Sequence, residues 1–253
     1  MGINFFDISK IKTVDVRRYS SCIEDFDWLY GTNKDDKNKG LPASAITLCG
    51  GEAGVGKTRI WVSVCYNMML NGYKVMYFQL EMSLHQFKSI YLKDKKIFNG
   101  FFRCSVEYGI DDICNIIEKD KPHLVIVDSI NRVDCFNGGR GTDEIQDKIR
   151  NTINSIGSHI VFLSHLNQDK TIKGGTNLPH MGDIVLNIYK SKDYPKCVEA
   201  SMGKTRYGES GRSILFRHDN DGVECITENW RRSPDYDGHY FKGMADLLKT
   251  LEK

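Results

Sequence analysis

The sequence predicts an α/β fold: a mainly parallel, twisted sheet flanked by helices, with antiparallel strands added toward the C-terminus. Three observations predict it. Gly51 to Thr58 reads G-x-x-x-x-G-K-T between an apolar run and a helical pattern, the setting of a phosphate-binding loop that joins a strand to a helix. Short β-type runs then alternate with helical patterns to about residue 165, as in a sheet built from parallel crossover units. After a polar stretch, strand-like runs recur with turn residues between them, the pattern of antiparallel neighbours.

The elements follow in order. Ala45 to Leu48 is the strand entering the loop, and Ile60 to Tyr66 lies in the helix leaving it. Lys74 to Gln79 reads as the next strand, and Ser83 as the N-cap of a helix over Leu84 to Leu92. Phe101 to Cys104 is a short strand, Gly109 to Glu118 a short helix, and His123 to Asp128 a buried strand. Asn137 to Thr142 is a loop, with Thr142 capping a helix over Asp143 to Ile156, and His159 to Ser164 is another buried strand. Ile184–Tyr189, Cys197–Met202, Ser213–Phe216 and Val223–Ile226 are the C-terminal strands, read as antiparallel additions. Residues 228–238 read as a loop and Phe241 to Leu251 as an amphipathic tail helix.

Composition bounds the answer loosely. The chain has 253 residues, long enough for one large α/β domain. A net charge of +2 neither requires nor excludes a polyanionic partner, because positive charge can be confined to one face. No window reaches the apolar length of a membrane span, and the N-terminus lacks a basic region followed by an apolar one. The eight cysteines contain no C-x-x-C pair, so a zinc site is not expected and reduced thiols in a cytoplasmic compartment are.

The loop chemistry is the most specific signal. The segment Gly51, Glu52, Ala53, Gly54, Val55, Gly56, Lys57, Thr58 and Arg59 is the candidate nucleotide-binding element. Its glycines let backbone N–H groups turn toward phosphate oxygens, and the helix N-terminus adds partial positive charge. Lys57 is placed to reach the β- and γ-phosphates of ATP, and the Thr58 hydroxyl to ligate Mg²⁺. Asp128 ends an apolar strand about seventy residues later, the position of the second metal-side group in such proteins. Glu81 follows a neighbouring strand, and ligands in open α/β sheets bind at the carboxyl ends of strands. A carboxylate there can orient and deprotonate the attacking water. His165 ends a third buried strand, where a polar side chain can report on the γ-phosphate.

Together these residues resemble one branch of the RecA-like ATPases, the branch of RadA/Sms-type and DnaB-type helicases. Arg17 to Gly31 with Gly40-Leu41-Pro42 is similar to the entry segment of RadA-type and KaiC-type proteins. Gln79-Leu80-Glu81-Met82 resembles the DnaB-type Ser-Leu-Glu-Met, and Ser164-His165-Leu166-Asn167 the Ser-Gln-Leu-Asn, with His in place of Gln. Gly203-Lys204-Thr205-Arg206-Tyr207-Gly208 is similar to the Lys-Asn-Arg-Phe-Gly of RadA. The resemblance implies that Lys204 and Arg206 reach a neighbour's γ-phosphate as an arginine finger does, and hence a homo-oligomer, a hexameric ring. It also implies that two loops face single-stranded DNA, one with Arg132 and Arg140, the other with Lys170 and Lys173.

The resulting organisation is an entry segment or oligomer arm (1–40), a RecA-like ATPase core (41–228), and a loop with tail helix (229–253). The zinc element and protease-like domain of RadA and the helical N-terminal domain of DnaB have no counterpart in the sequence. That leaves a minimal motor core, a form that suits a phage or mobile-element protein acting in replication, recombination or repair. The alternatives are a KaiC-like regulatory ATPase acting on a protein partner and a nucleotide-gated assembly factor.

Overall fold

The computed structural model describes residues 15–33, 35–133, 142–166, 181–194, 196–218 and 223–225. The elements are β1 (Arg18–Tyr19), α1 (Glu24–Leu29), β2 (Leu41–Pro42), β3 (Ile46–Gly51), α2 (Lys57–Leu70), β4 (Val75–Gln79), α3 (Leu84–Tyr91), β5 (Phe102–Ser105) and α4 (Ile110–Asp120). They continue with β6 (Leu124–Asp128), a 3-10 turn (Ile130–Arg132), α5 (Thr142–Ile156), β7 (His159–His165), β8 (Ile184–Lys190), β9 (Cys197–Thr205), β10 (Ser213–His218) and β11 (Val223–Cys225). The expected loop at 228–238 and the tail helix lie outside the described residues, as does most of the loop at 137–142.

Among the described residues, nine strands form one sheet in the order β11-β10-β9-β8-β3-β7-β6-β4-β5. Every pair from β8 to β5 is parallel. Pairing from β8 to β9, β9 to β10 and β10 to β11 is antiparallel.

Strand β8 corrects one expectation, for the sequence reads it as the first antiparallel strand. β7 ends with His165 level with Gly51, whereas β8 starts with Ile184 level with Thr47. The chain therefore returns to the opposite edge before β8 begins, and β8 runs parallel to β3. Antiparallel pairing starts at β9, which is reached through the short connection 191–196.

Alternation sorts the strands into two faces, as a pleated ribbon requires. Met76 and Phe78, Val125 and Val127, and Ile160 and Phe162 pack with Ile113 and Ile117 of α4 and Ile145, Ile149 and Ile153 of α5. Val75 and Tyr77, Leu124 and Ile126, and Val161 and Leu163 pack with Trp61 and Met68 of α2 on the other face. Helix α3 starts at a full capping box: Ser83 accepts from the Gln86 N–H while the Gln86 side chain accepts from the Ser83 N–H. Among the described residues, no helix is long and apolar enough to cross a membrane.

The described part of the entry segment is fastened to the α2 face and to the end of β9. Phe26 meets Trp61 edge-on at 5.4 Å and lies 6.2 Å from Phe216. The Arg18 guanidinium donates to the carbonyls of Tyr30, Gly40 and Tyr207 at 2.8–3.0 Å. Arg212 donates to the Trp28 carbonyl and lies 4.7 Å above the Trp28 ring. These contacts fix the backbone immediately after Arg206.

Candidate active site

Strand β3 runs through Gly51, so the first glycines of the loop belong to the sheet. A Cβ on Gly51 would stand 2.8 Å from the Ile188 carbonyl oxygen and 2.9 Å from a Val55 methyl, which leaves no room for a side chain. Gly56, at φ 104°, turns the chain into α2 through the left-handed region, where a side chain is disfavoured. Helix α2 has no acidic residue in its first turn and no side-chain cap, so its leading N–H groups and dipole are available to an anion.

Lys57 is buried, and its Nζ donates to the carbonyls of Gly51 (2.7 Å) and Glu52 (2.9 Å). Burial pulls its pKa below the ordinary lysine value, opposed by Cys49, Asp128 and Glu81. The ammonium is thus folded onto its own loop, within reach of whatever the loop encloses. Gly54, Gly56, Lys57, Thr58 and Arg59 line a cleft of 440 Å³ together with Glu81, Asp128 and His165. Val55 is buried beneath the loop, while Glu52 and Ala53 are exposed at its tip.

Thr58 donates to Asp128 Oδ2 at 2.7 Å, and the Tyr77 hydroxyl donates to the same oxygen at 2.8 Å. Burial raises the Asp128 pKa, while the Thr58 and Tyr77 hydrogen bonds and the nearby Lys57 oppose that rise. Tyr77 is pushed well above the usual phenol value by its own burial and by Asp128, so it stays a donor. A hydroxyl and a carboxylate 2.7 Å apart form an oxygen pair suited to Mg²⁺, which is held by few protein oxygens when phosphates supply the rest. The cradle therefore fits a magnesium-bound triphosphate. Ser129 adds a buried hydroxyl to the cleft wall that has no partner among the described residues.

Glu81 and His165 close the other side of the cleft. His165 sits beside Gly51 in the register of β3 and β7, and its Nε2 is 3.3 Å from Glu81 Oε1. The turn that carries Glu81 is held by Gln79, whose Oε1 accepts from the N–H groups of Glu81 (2.8 Å) and Met82 (3.2 Å). The structure thus brings Glu81, Lys57, Thr58, Asp128 and His165 into one cleft.

Lys204 and Arg206 lie elsewhere. Lys204 pairs with Val185, which is level with Leu48, and the Arg206 N–H bonds the Asp183 carbonyl beside the start of β8. At about 3.3 Å per strand residue, Arg206 is level with a point on β3 roughly 16 Å from Gly51 and two strands away. Arg206 is 61% exposed and pairs with Asp183 Oδ1 at 3.2 Å. Asp183 is 3% exposed; its Oδ2 accepts from Arg150 (2.6 Å) and from the Ile46 N–H (2.9 Å). Lys204 donates to the Gly182 carbonyl at 2.8 Å. Arg206 also borders a 620 Å³ hollow with Arg18, Asp36 and Lys37.

Of the loop residues assigned to nucleic acid, Arg132 is exposed on the turn after β6. Arg140, Lys170 and Lys173 lie outside the described residues. Sequence reasoning missed Tyr77, Gln79, Ser129 and Asp183. The alternation of β4 places Tyr77 on the α2 face, but nothing local says that its hydroxyl meets Asp128.

No protein-family model matches the chain. DNA repair protein RadA of Mycolicibacterium smegmatis is 22% identical over 233 residues, covering 87% of this chain and 48% of that protein. RadA of Aquifex aeolicus is 25% identical over 198 residues, covering 75% and 43%. The chain is homologous to RadA across the core and has the fold of the RecA-like P-loop ATPases. It spans about half the length of these RadA relatives. The flagellar accessory protein FlaH of Methanocaldococcus jannaschii superposes with a TM-score of 0.64 at 15% identity, over 83% of this chain and 99% of FlaH. The KaiC-like protein PH0186 of Pyrococcus horikoshii superposes equally well, TM-score 0.64 at 18% identity, with the same coverages. Those two likenesses concern the fold alone.

Proposed function

We propose that the chain is an ATP-hydrolysing motor core that binds single-stranded DNA and is catalytically complete only between protomers of a ring. The observation that carries this reading is the separation of two charged groups across one sheet. The cleft with Lys57, Thr58, Glu81 and Asp128 lies at the carboxyl ends of the parallel strands, whereas Lys204 and Arg206 lie at their amino ends. A pair of cations on the far edge serves a nucleotide only when that edge docks against the cleft of a sibling.

In this reading Lys57 leaves the carbonyls of Gly51 and Glu52 for the phosphates, and the first N–H groups of α2 hold their oxygens. Thr58 and Asp128 would hold Mg²⁺, which supplies charge neutralisation at the phosphates when bound. Glu81 accepts the proton of the attacking water. His165, against Glu81, senses the end of the triphosphate and passes that state to the segment after β7. The exposed Arg132, with Arg140, Lys170 and Lys173, follows a phosphate backbone without reading sequence. The relatives named for DNA repair support a role in repair; recombination or replication, in the cytoplasm, extends that proposal.

The test is the ATPase rate of the purified chain with and without a single-stranded oligonucleotide, with light scattering to size the assembly. Stimulation by the oligonucleotide in an oligomer supports the reading. A rate indifferent to DNA, in a protein that does not bind it, overturns the DNA part and favours control of a protein partner.

A further inference from the structure

A second cavity, of 470 Å³, opens beside the nucleotide cleft, and Glu81 and Met82 line both. Its wall is built from the carboxyl ends of β4, β5 and β6 and the start of α3. Three of its groups are unusual together. Tyr108 is 58% exposed, a flat aromatic surface on the cavity wall rather than in the core. Arg132, also exposed, is the single cation among the described lining residues. Gln79 is 1% exposed, and its amide is half used. Its Oε1 is committed to the Glu81 and Met82 N–H groups, which fixes which end of the amide is oxygen. Its Nε2 has no partner among the described residues.

A stacking surface, a donor and one guanidinium match a nucleobase attached to a phosphate. One cation is too little to hold the phosphates of a free nucleotide. It suffices for a base delivered by a strand that is held along its backbone elsewhere. We infer that this cavity receives an unstacked base of single-stranded DNA, stacked on Tyr108, its flanking phosphate on Arg132 and its acceptor edge on Gln79 Nε2. The inference rests on the DNA-binding reading above.

The site has a consequence for the neighbouring cleft. The amide that would donate to the base also holds, through its other end, the turn that carries Glu81. A base on Nε2 pins the Gln79 side chain, and Oε1 then pins the backbone of Glu81 and Met82. Gln79 is a positioning residue that links strand occupancy to the placement of the carboxylate facing the nucleotide.

The experiment uses the full chain with oligo-dT carrying one 2-aminopurine, an abasic oligonucleotide of equal length, and dTMP alone. Wild type is expected to bind oligo-dT more tightly than the abasic strand and to quench the 2-aminopurine. Tyr108→Ala should weaken oligo-dT binding about tenfold, the effect of one lost base stack. It should also abolish the quench and leave abasic binding unchanged, while Tyr108→Phe restores the first two. Gln79→Glu, which keeps the acceptor oxygens and removes the N–H donor, should lose the stimulation of hydrolysis by oligo-dT. Thermal melts of each variant show that it is folded. Wild-type affinity and quenching in Tyr108→Ala would overturn the pocket and leave DNA binding in place. Wild type that binds neither strand would overturn both readings. Occupancy by dTMP with no binding of the strand would overturn the choice of a strand as the source.

Discussion

The two ends of the parallel strands solve opposite electrostatic problems. At the carboxyl ends, Lys57, Glu81 and Asp128 share a cleft, and each charge has a complement nearby in the same chain. At the amino ends, Arg206 is anchored at one point to a buried carboxylate and is otherwise exposed. Asp183, Arg150 and the entry segment hold it in place without enclosing it. The first end is arranged to enclose a ligand. The second leaves a cation facing outward. In the proposed reading these are the two halves of a composite site, too far apart in one chain to serve each other.

The comparison breaks most visibly at the cleft. Lys57→Ala is expected to lower ATP turnover by at least about a hundredfold, the scale of losing a charge aimed at the transition state. A fluorescent ATP analogue should bind it more weakly as well. Glu81→Gln should lower turnover by a comparable factor but retain the analogue, because the amide cannot accept a proton yet keeps the shape. Equal loss of binding in both variants would make Glu81 a binding group.

The amino-terminal end is sharpened by pH. His159 is fully buried there, its Nδ1–H donating to the Pro42 carbonyl and its Nε2 accepting from Thr47. Burial pulls its pKa down from 6.5 to about 4. The unfolded chain takes up a proton below pH 6.5 that the folded chain resists until about pH 4, so stability falls as pH drops through that window. The loss is on the order of 3 kcal/mol, because each tenfold weakening of proton binding by the folded chain costs roughly 1.4 kcal/mol. Urea midpoints measured across the window in wild type and His159→Gln check it; the variant should lose that part of the slope.

The smallest effect is at Tyr77. Tyr77→Phe removes one of two hydroxyls on Asp128 Oδ2, a change of about 1 kcal/mol, or several-fold, in the Mg²⁺ dependence of turnover. An unchanged Mg²⁺ titration would make Tyr77 a packing residue only.

Local chemistry made the cleft legible in advance. The glycines and Lys57-Thr58 lie within eight residues, and Ser83 announces the start of α3. Glu81, Asp128 and His165 were legible because each follows an apolar run, and runs of that kind end at one edge of a parallel sheet. What was not legible depends on register. Tyr77 meets Asp128 across β4 and β6, 51 residues apart. Asp183, just before β8, meets Arg150 of α5 and Ile46 of β3, both distant in sequence. The direction of β8 is set by where the preceding chain returns, not by its own residues. β9 runs past its expected end at Met202 to Thr205, so Lys204 is held in the strand and Arg206 sits in the bend just after it.

The composite site is tested most directly by mixing two inactive variants. Lys57→Ala retains Arg206 but has a disabled cleft, and Arg206→Ala retains the cleft but lacks the cation. Each alone should hydrolyse ATP far below the wild-type rate, and the mixture should exceed the sum of the two as hybrid rings form. Arg206→Ala turning over ATP at the wild-type rate, or a mixture no faster than its parts, would contradict catalysis shared between protomers.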